Sequence, residues 1–329
     1  MDLSGKSILF LSAQAFGIPE NIIATFRSFG ADVVYYDERP ANTFWVKASI
    51  RINRNLIARY IDRYHKKVIE ETRSKKFDYI IFIKGESFSE QNLKTLFSHH
   101  PEAKTIIYHW DSIANNHNAI NLLDHFDEVY SFDRNDCINF GIKFLPLFYY
   151  NEYRDIAGYK GKKEYDLMFV GTTHSDRYEF IKKIEQQICS NGGKCFTYFF
   201  FQGRIMFYKY KLQHRSMRHV SASDFHFKPL SKATLLDLYR KSRIIVDVQH
   251  PRQTGLTLRT LEALGSKTKL ITTNKDVRNY DFYNQNNILV VDRKNPIVPN
   301  EFLQAQYEDV PEEIYNRYSI DRWVDNLLR

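Results

Sequence analysis

Apolar residues in the first half of the chain follow two spacings, one typical of buried strands and one of amphipathic helices. Short apolar runs of strand length occur at 8–12, 31–36, 79–83, 105–108 and 128–132. A helical pattern covers 19–29, and from about 53 to 74 apolar residues recur at helical spacing on an otherwise basic segment. Strands that alternate with helices in this way predict a parallel sheet covered by helices.

The alternation starts again in the second half, after a polar stretch at 151–164 that predicts a linker. Strand-like runs follow at 165–170, 195–201, 243–248, 269–273 and 287–291. Helical patterns cover 177–189, 233–242 and 311–328, and a further helix is predicted to begin near Leu256. The pattern therefore predicts an α/β protein with two successive Rossmann-like halves.

A length of 329 residues also suits two domains of ordinary size. We expect an N-terminal domain at 1–150, a C-terminal domain at 151–310, and a last helix at 311–329 that packs back on the first domain. Open α/β sheets bind ligands beyond the carboxyl ends of their strands. We therefore expect the two parallel sheets to face a central cleft that holds the substrates.

The net charge of +8 belongs to the second half of the chain. Residues 1–150 contain 18 Lys and Arg and 18 Asp and Glu, whereas residues 151–329 contain 29 and 21. A basic domain suits a diphosphate, an anionic membrane surface or a nucleic acid, and charge alone does not choose among them.

Several classes of protein are disfavoured by composition. No apolar run approaches the length of a membrane-spanning helix, and the run at 8–12 is shorter than the hydrophobic region of a signal peptide. Cys137, Cys189 and Cys195 lack the spacing of metal ligands, so we expect reduced thiols in a cytoplasmic protein, without zinc and without a disulfide.

The segment 250–262 carries the clearest chemistry. A predicted strand runs into His250, Arg252, Thr254 and Gly255, and a helix follows. Glycine permits close approach of a ligand to the backbone, and the N–H groups of a helix start favour an anion such as a phosphate. The side chains of Arg252 and Arg259 can add charge-assisted hydrogen bonds, and the carboxylate of Glu262 can accept from ribose hydroxyls.

Gly255, Arg259 and Glu262, with Leu256, Thr257 and Leu258 between the first two, resemble the donor-binding signature of GT-B glycosyltransferases. The most similar branch is that of the CgeB-like and group 1-like proteins of bacterial surface polysaccharide synthesis. The run 166–171, which ends in Gly171 and is followed by Arg177, is also similar to the opening of the nucleotide-binding domain in that branch.

This resemblance implies a GT-B fold and a hexosyl or related transferase with a nucleotide-sugar donor, which is a substrate rather than a cofactor. It also implies an acceptor among cell-surface glycans or their lipid-linked precursors, of the lipopolysaccharide or capsule type. Such an enzyme works in the cytoplasm, at the inner face of the membrane. The sequence has no DxD metal motif, so we expect a metal-independent reaction.

Thr254 departs from the usual pattern of retaining members, in which two glutamates are separated by seven residues. Thr254 lies eight residues before Glu262, where the first glutamate is expected. That glutamate works near the donor sugar in the family. Its absence leaves the sugar and the anomeric outcome open, although the resemblance favours retention.

Other candidate residues lie in predicted strand-to-helix loops. Asp111 is the best candidate for a general base if the reaction inverts, and His109 is a weaker one. The loop of Lys84, Gly85 and Glu86 is a candidate for substrate positioning, and Gly17 is expected to border the sugar-phosphate region. Lys228 is a candidate phosphate contact. Ordinary turn, capping or surface roles remain the alternative for each of these residues.

Two segments combine basic residues with aromatic ones and are candidates for contact with an anionic membrane, at 53–76 and 204–218. Solvated helix faces are the alternative for both. Two other functions stay open: a non-catalytic protein that binds a nucleotide-sugar or a glycan, and a basic nucleic-acid-binding protein. No RNA-binding motif accompanies the basic segments, so we expect no nucleic-acid partner.

Overall fold

The computed structural model describes residues 1–15, 17–113, 117–172, 176–213, 217, 220–250 and 254–329. The chain divides into two compact units. Unit 1 comprises Met1–Leu147, Gln253–Gly255 and Ile320–Arg329, and unit 2 comprises Phe148–Arg252 and Leu256–Ser319. Each unit is therefore assembled from more than one stretch of the sequence.

The described residues of the main stretch of unit 1 form six strands and six α-helices. The strands are β1 (Ser7–Ser12), β2 (Asp32–Tyr36), β3 (Tyr79–Ile83), β4 (Lys104–His109), β5 (Glu128–Ser131) and β6 (Lys143–Phe144). The helices are α1 (Ile18–Ser28), α2 (Phe44–Asn53), α3 (Ala58–Thr72), α4 (Glu90–Ser98), α5 (His117–Ile120) and α6 (Arg134–Phe140).

The strands of unit 1 form one parallel sheet in the order β2-β1-β3-β4-β5-β6. Side chains of β1 and β3 pack with those of α3 and α4 in a core that includes Leu9, Phe82, Val68 and Leu93. Burial of these side chains explains why the central strands are almost wholly apolar. All of their carboxyl ends consequently lie at one edge of the sheet.

The described residues of unit 2 form six strands and seven α-helices. The strands are β7 (Tyr165–Thr172), β8 (Cys195–Phe200), β9 (Phe225–His226), β10 (Ser242–Asp247), β11 (Lys269–Thr272) and β12 (Ile288–Val290). The helices are α7 (Asn151–Ala157), α8 (Arg177–Ser190), α9 (Arg204–Gln213), α10 (Lys232–Lys241), α11 (Leu258–Gly265), α12 (Asn300–Gln304) and α13 (Glu312–Arg317).

These strands also form a parallel sheet, in the order β12-β11-β10-β7-β8-β9. Counted within the unit, this is the order 6-5-4-1-2-3 of dinucleotide-binding folds. The expectation of an α/β fold with two parallel sheets is confirmed.

The last helix of the described chain, α14 (Ile320–Leu328), belongs to unit 1. Its buried face includes Trp323 and Val324. The indole of Trp323 packs edge-on against the ring of Tyr108 in β4, with the ring centroids 4.9 Å apart. Unit 1 therefore completes its core with residues from the end of the described sequence.

Three element predictions were wrong in detail. The helix expected at 53–74 is divided, because Arg54–Ile57 forms a 3-10 turn before α3, and α2 precedes it unpredicted. The expected linker at 151–164 begins with α7. The single helix expected at 311–328 is broken because the carbonyl of Tyr318 accepts a hydrogen bond from the N–H of Tyr149.

No helix in the described part of the chain is both long enough and apolar enough to cross a bilayer. The three cysteines are free thiols, although the sulfur atoms of Cys189 and Cys195 lie 3.6 Å apart. Burial raises the pKa of Cys137 to about 11, so this thiol is protonated at neutral pH.

Candidate functional site

The direction of the strand order in unit 2 changes between β7 and β10, which are neighbours in the sheet but distant in the sequence. Open α/β sheets bind ligands outside the carboxyl ends of their strands at such a point. The strand β7 ends at Thr172 and β10 ends at Asp247. The segments that follow these two ends contain several of the predicted donor-binding residues.

Arg177 connects the ends of the two strands. Its guanidinium donates to the carbonyl of Thr172 at 2.8 Å and to the carbonyl of Val248. Burial, and after it the positive charge of Arg259, lowers the pKa of Arg177 to about 10. Its buried Nε has no hydrogen-bond partner among the described residues. An anionic ligand at this place would offset the cost of burying the cation.

Arg259 lies in the first turn of α11 and reaches the end of β7. Its guanidinium donates to the carbonyl of Val170 and lies 4.0 Å from the carboxylate of Asp247. A Cβ added at Gly171 would lie 3.4 Å from Nη2 of Arg259 and 3.0 Å from the ring of Phe169. The glycine therefore leaves space for the guanidinium, and Gly171, Arg177 and Arg259 meet at one end of the sheet.

Asp247 organises the start of α11. Its buried carboxylate accepts hydrogen bonds from the hydroxyls of Thr257 at 2.8 Å and Thr260 at 3.2 Å. Because Thr257 is held in extended backbone, the helix begins at Leu258. The predicted start, near Leu256, was two residues earlier. Thr257 does not cap the helix with its own side chain. Helix starts of this kind attract anions to their N–H groups.

Glu262 lies on the next turn of the same helix. The hydroxyl of Tyr239 donates to its carboxylate at 2.7 Å, and Tyr239 packs edge-on against Tyr153. Burial raises the pKa of Glu262, an effect that the bond from Tyr239 partly opposes. The side chain is half-buried, and its ribose-binding role stays a prediction.

Asp247 and Arg293 are residues that the sequence analysis missed. Arg293 follows β12, forms a bidentate pair with Asp176 at 2.8 and 2.7 Å, and donates to the carbonyl of Gln249. Its role could not be predicted, because its partners Asp176 and Gln249 lie far from it in the sequence. Asp247 could have been found, because it ends the strand that leads into the predicted donor segment.

Thr254 and Gly255 belong to unit 1 and bind a carboxylate there. Their N–H groups donate to Asp133 at 3.2 and 3.0 Å, and the hydroxyl of Thr254 donates to it as well. A Cβ added at Gly255 would lie 2.5 Å from the ring of Phe132, so packing requires a glycine. The N–H of Gly255 was predicted to face a donor phosphate. In this structure it donates to the carboxylate of Asp133.

The remaining predicted donor residues differ in burial and in position. His250 is exposed just after Gln249, whereas Leu256 is buried. Arg252 lies outside the described residues. Lys228 is exposed beyond β9, at the edge of the sheet and two strands from β7. The structure therefore does not bring Lys228 to the carboxyl ends of β7 and β10.

The corresponding point in unit 1 lies between β1 and β3. Gly17 follows β1 and precedes α1 with a φ of 74°. After β3, Lys84 and Gly85 have φ values of 85° and 64°. A left-handed backbone is costly for a residue with a side chain, by roughly 1–3 kcal/mol, and such strain is concentrated at functional sites.

A charged network surrounds the strained loop. The ammonium of Lys84 lies 2.8 Å from Asp111 and 3.1 Å from Glu86, and Arg39 pairs with the other oxygen of Glu86. Glu86 and Arg39 are buried, whereas about half of the Asp111 side chain is exposed. The predicted residues Lys84, Glu86 and Asp111 thus share one network at the carboxyl ends of β3 and β4.

Glu38 lies beside this network and was not predicted. One carboxylate oxygen accepts from the N–H of Ser87 at 2.6 Å, and the other is buried without a partner among the described residues. Burial, and after it the charge of Glu86, raises the pKa of Glu38 to about 8. The group is therefore largely protonated at neutral pH. A glutamate two residues after the second strand was the signal that could have identified it.

His109 is the last residue of β4 and is almost completely buried. Burial, and after it the charge of Lys84, lowers the pKa of His109 to about 3. The imidazole is therefore neutral at pH 7 and a weak base. Of the two candidates for a general base, Asp111 is the one with an exposed carboxylate.

Known proteins match this chain in structure but not in sequence. Neither a family model nor any curated protein matches the sequence. Among solved structures, a glycosyltransferase from Rickettsia africae ESF-5 superposes with a TM-score of 0.60 at 11% identity, covering 98% of this chain and 97% of that chain.

Two further structures superpose over nearly the whole chain. HepE from Anabaena, in complex with UDP and glucose, gives a TM-score of 0.61 at 10% identity, covering 98% of both chains. The UDP-forming α,α-trehalose-phosphate synthase from Burkholderia xenovorans, in complex with glucose-6-phosphate, gives 0.64 at 10% identity, covering 99% of both chains. The chain therefore has a fold of the GT-B type, as the sequence resemblance implied.

Proposed function

We propose that this protein is a glycosyltransferase that moves a sugar from a nucleoside-diphosphate donor to a hydroxyl of its acceptor. The observation that carries the proposal is the meeting of Arg177, Arg259 and the start of α11 at the carboxyl ends of β7 and β10. Two buried or half-buried cations and a helix start suit a diphosphate. Solved structures of the same fold include one with UDP and glucose bound.

In the proposed reaction, the bond between the anomeric carbon and the diphosphate oxygen breaks, and its electron pair leaves with the nucleoside diphosphate. Arg177 and Arg259 would balance the negative charge that develops on this leaving group. We propose that these cations make a divalent metal unnecessary. Equal rates with EDTA and with Mg²⁺ are expected.

An acceptor hydroxyl must lose its proton while it bonds to the anomeric carbon. If the reaction inverts, we propose Asp111 in unit 1 as the base, because it combines an exposed carboxylate with a fixed position against Lys84. If the product retains the configuration of the donor, Asp111 has a positioning role. Analysis of the product anomer by NMR distinguishes the two cases.

For the acceptor we propose a cell-surface glycan of the lipopolysaccharide or capsule type, or its lipid-linked precursor, reached at the inner face of the membrane. The resemblance of Gly255, Arg259 and Glu262 to the signature of surface-polysaccharide transferases supports this choice. The sequence segments at 53–76 and 204–218, rich in basic and aromatic residues, support contact with an anionic membrane.

The decisive experiment begins with a thermal-shift screen of UDP-, GDP- and ADP-linked sugars, since a ligand that binds only the folded state raises the melting temperature. The best ligand is then tested for release of nucleoside diphosphate. Turnover confirms the proposal. Binding without turnover of any donor and acceptor would favour a non-catalytic binding protein, and salt-sensitive binding of oligonucleotides alone would favour a nucleic-acid-binding protein.

A further inference from the structure

Unit 1 displays a surface of large apolar side chains that its own core does not use. This Trp45 surface consists of Phe44, Trp45, Ile52, Leu56 and Tyr60, from α2, the following 3-10 turn and the start of α3. Trp45 is 78% exposed, Ile52 81% and Leu56 71%. Single exposed apolar residues are ordinary, but several within one short segment indicate an interaction surface.

The segment that carries the Trp45 surface is attached to unit 1 by other residues. Ile50 of α2 is buried, and Arg54 donates to the carbonyl of Phe88 at 2.9 Å and to the side chain of Asn118. Thr43 caps α2 by accepting from the N–H of Val46. The helix is therefore oriented by its own contacts, and the outward apolar side chains are not needed to hold it in place.

Charge indicates what this surface contacts. Residues 40–61 include Lys47, Arg51 and the exposed Arg59, besides the inward-bonded Arg54, and contain no Asp or Glu. An apolar surface within a basic, acid-free segment complements an anionic lipid bilayer, in which tryptophan and tyrosine favour the interface and basic residues meet the headgroups. Ile52 and Leu56 distinguish this partner from a nucleic acid, because aliphatic side chains gain little from bases and much from acyl chains.

We propose that the Trp45 surface binds the protein to anionic membranes, with Trp45, Ile52 and Leu56 inserted at the level of the headgroups. The surface reaches beyond the predicted segment at 53–76, because its most exposed aromatic residue lies on α2. This inference rests on the proposed function, whose acceptor lies at a membrane. Its test uses no sugar donor, so it can fail while donor turnover is intact.

The test measures co-sedimentation of the full chain with phosphatidylcholine vesicles that contain phosphatidylglycerol. Binding is expected to weaken at high salt and with phosphatidylcholine alone. The double variant Trp45→Ser with Leu56→Ser is expected to bind about tenfold more weakly, which corresponds to about 1.4 kcal/mol. Ile138→Ser is the matched control, because Ile138 is 80% exposed on α6 of the same unit and is expected to bind as the wild type does.

Insertion is measured directly by the quenching of tryptophan fluorescence with brominated acyl chains. Trp45 is the tryptophan expected to respond, since Trp323 is buried and Trp110 is half-buried directly after β4, and Trp45→Phe should remove most of the quenching. Equal vesicle binding by the wild type and the double variant would overturn the proposal. It would also be overturned if the wild type failed to bind vesicles and instead bound oligonucleotides, or formed dimers that the double variant abolishes.

Discussion

The two units present different chemistry at the carboxyl edges of similar parallel sheets. At the ends of β7 and β10, unit 2 gathers Arg177 and Arg259 around one buried carboxylate, that of Asp247. At the ends of β3 and β4, unit 1 gathers three carboxylates around Lys84 and Arg39, and one of them, Glu38, is largely protonated. A cationic edge suits a diphosphate, whereas the network of unit 1, in which Glu86 and Asp111 balance Lys84 and Arg39, offers an exposed carboxylate to a neutral hydroxyl that must lose a proton.

The strongest way to break this comparison is to remove the proposed base from the network of unit 1. In an inverting reaction, Asp111→Asn is expected to lower kcat by about 10²–10⁴-fold, because a carboxamide does not accept the acceptor proton. The affinity for the donor should not change. Steady-state kinetics and calorimetry measure the two quantities separately.

Glu90→Gln is the matched control for this substitution. Glu90 is similarly exposed and forms an ion pair with Lys94 at 2.7 Å on α4. An inverting enzyme in which Asp111→Asn and Glu90→Gln have the same kcat would show that Asp111 only neutralises Lys84.

The buried acid of unit 1 predicts a pH dependence of stability. The folded chain holds a proton on Glu38 up to about pH 8, whereas the unfolded chain releases it near the ordinary pKa of 4.5. The contribution of this group to stability is therefore complete below pH 4.5 and is lost as the pH rises towards 8. Denaturation by urea should show a decrease of several kcal/mol for the wild type over this range, relative to Glu38→Gln.

The comparison with Glu38→Gln removes the opposite effect of the buried histidines. Burial lowers the pKa of His65 to about 4 and that of His109 to about 3, so these groups destabilise the fold as the pH falls below 6.5. Parallel pH curves for the wild type and Glu38→Gln would contradict a protonated Glu38.

On the cationic edge, Arg259→Ala is expected to weaken the binding of a nucleoside diphosphate about 100-fold, or about 2.7 kcal/mol. The loss follows from removing a half-buried cation beside the start of α11. Calorimetry with the nucleotide found in the thermal-shift screen measures it. Lys228→Ala, just beyond the edge strand β9, should change the affinity less than twofold. A larger loss for Lys228→Ala than for Arg259→Ala would place the diphosphate elsewhere.

The smallest effect concerns the ribose. Glu262→Ala is expected to weaken the binding of the ribonucleoside diphosphate about tenfold and to leave the 2′-deoxy form nearly unchanged, because the lost interaction is a hydrogen bond from a ribose hydroxyl. Tyr239→Phe keeps the carboxylate and removes the hydroxyl that holds it, so it should cause a smaller loss. Equal losses for both nucleotides would remove Glu262 from the ribose site.

Much of this organisation could be predicted from local patterns. The apolar runs predicted the central strands correctly. Residues that come just after a strand of a parallel sheet lie at its carboxyl edge, and this geometry alone placed Lys84 and Asp111 there. The two-residue strands β6 and β9 were not predicted, because two residues are too few to show a pattern of apolar and polar positions. Helix α2 was not predicted, because its exposed apolar residues obscure the stripe of apolar residues that marks the buried face of a helix.

Roles that depend on distant partners could not be predicted. The sequence does not show that Asp133 accepts the N–H groups of Thr254 and Gly255, more than a hundred positions away. Gly255 was predicted to be a position where a ligand approaches the backbone closely. In the structure the ring of Phe132 packs against this glycine.

The placement of α14 in unit 1 has a consequence for synthesis on the ribosome. Trp323 completes the packing around Tyr108 only after the whole of unit 2 has been translated, since unit 2 lies between them in the sequence. Until then the core of the nascent unit 1 lacks the side chains of α14, whereas unit 2 has all its residues as soon as Ser319 has emerged from the ribosome. Unit 2 is accordingly expected to mature first, in the reverse of the usual N-terminal to C-terminal order.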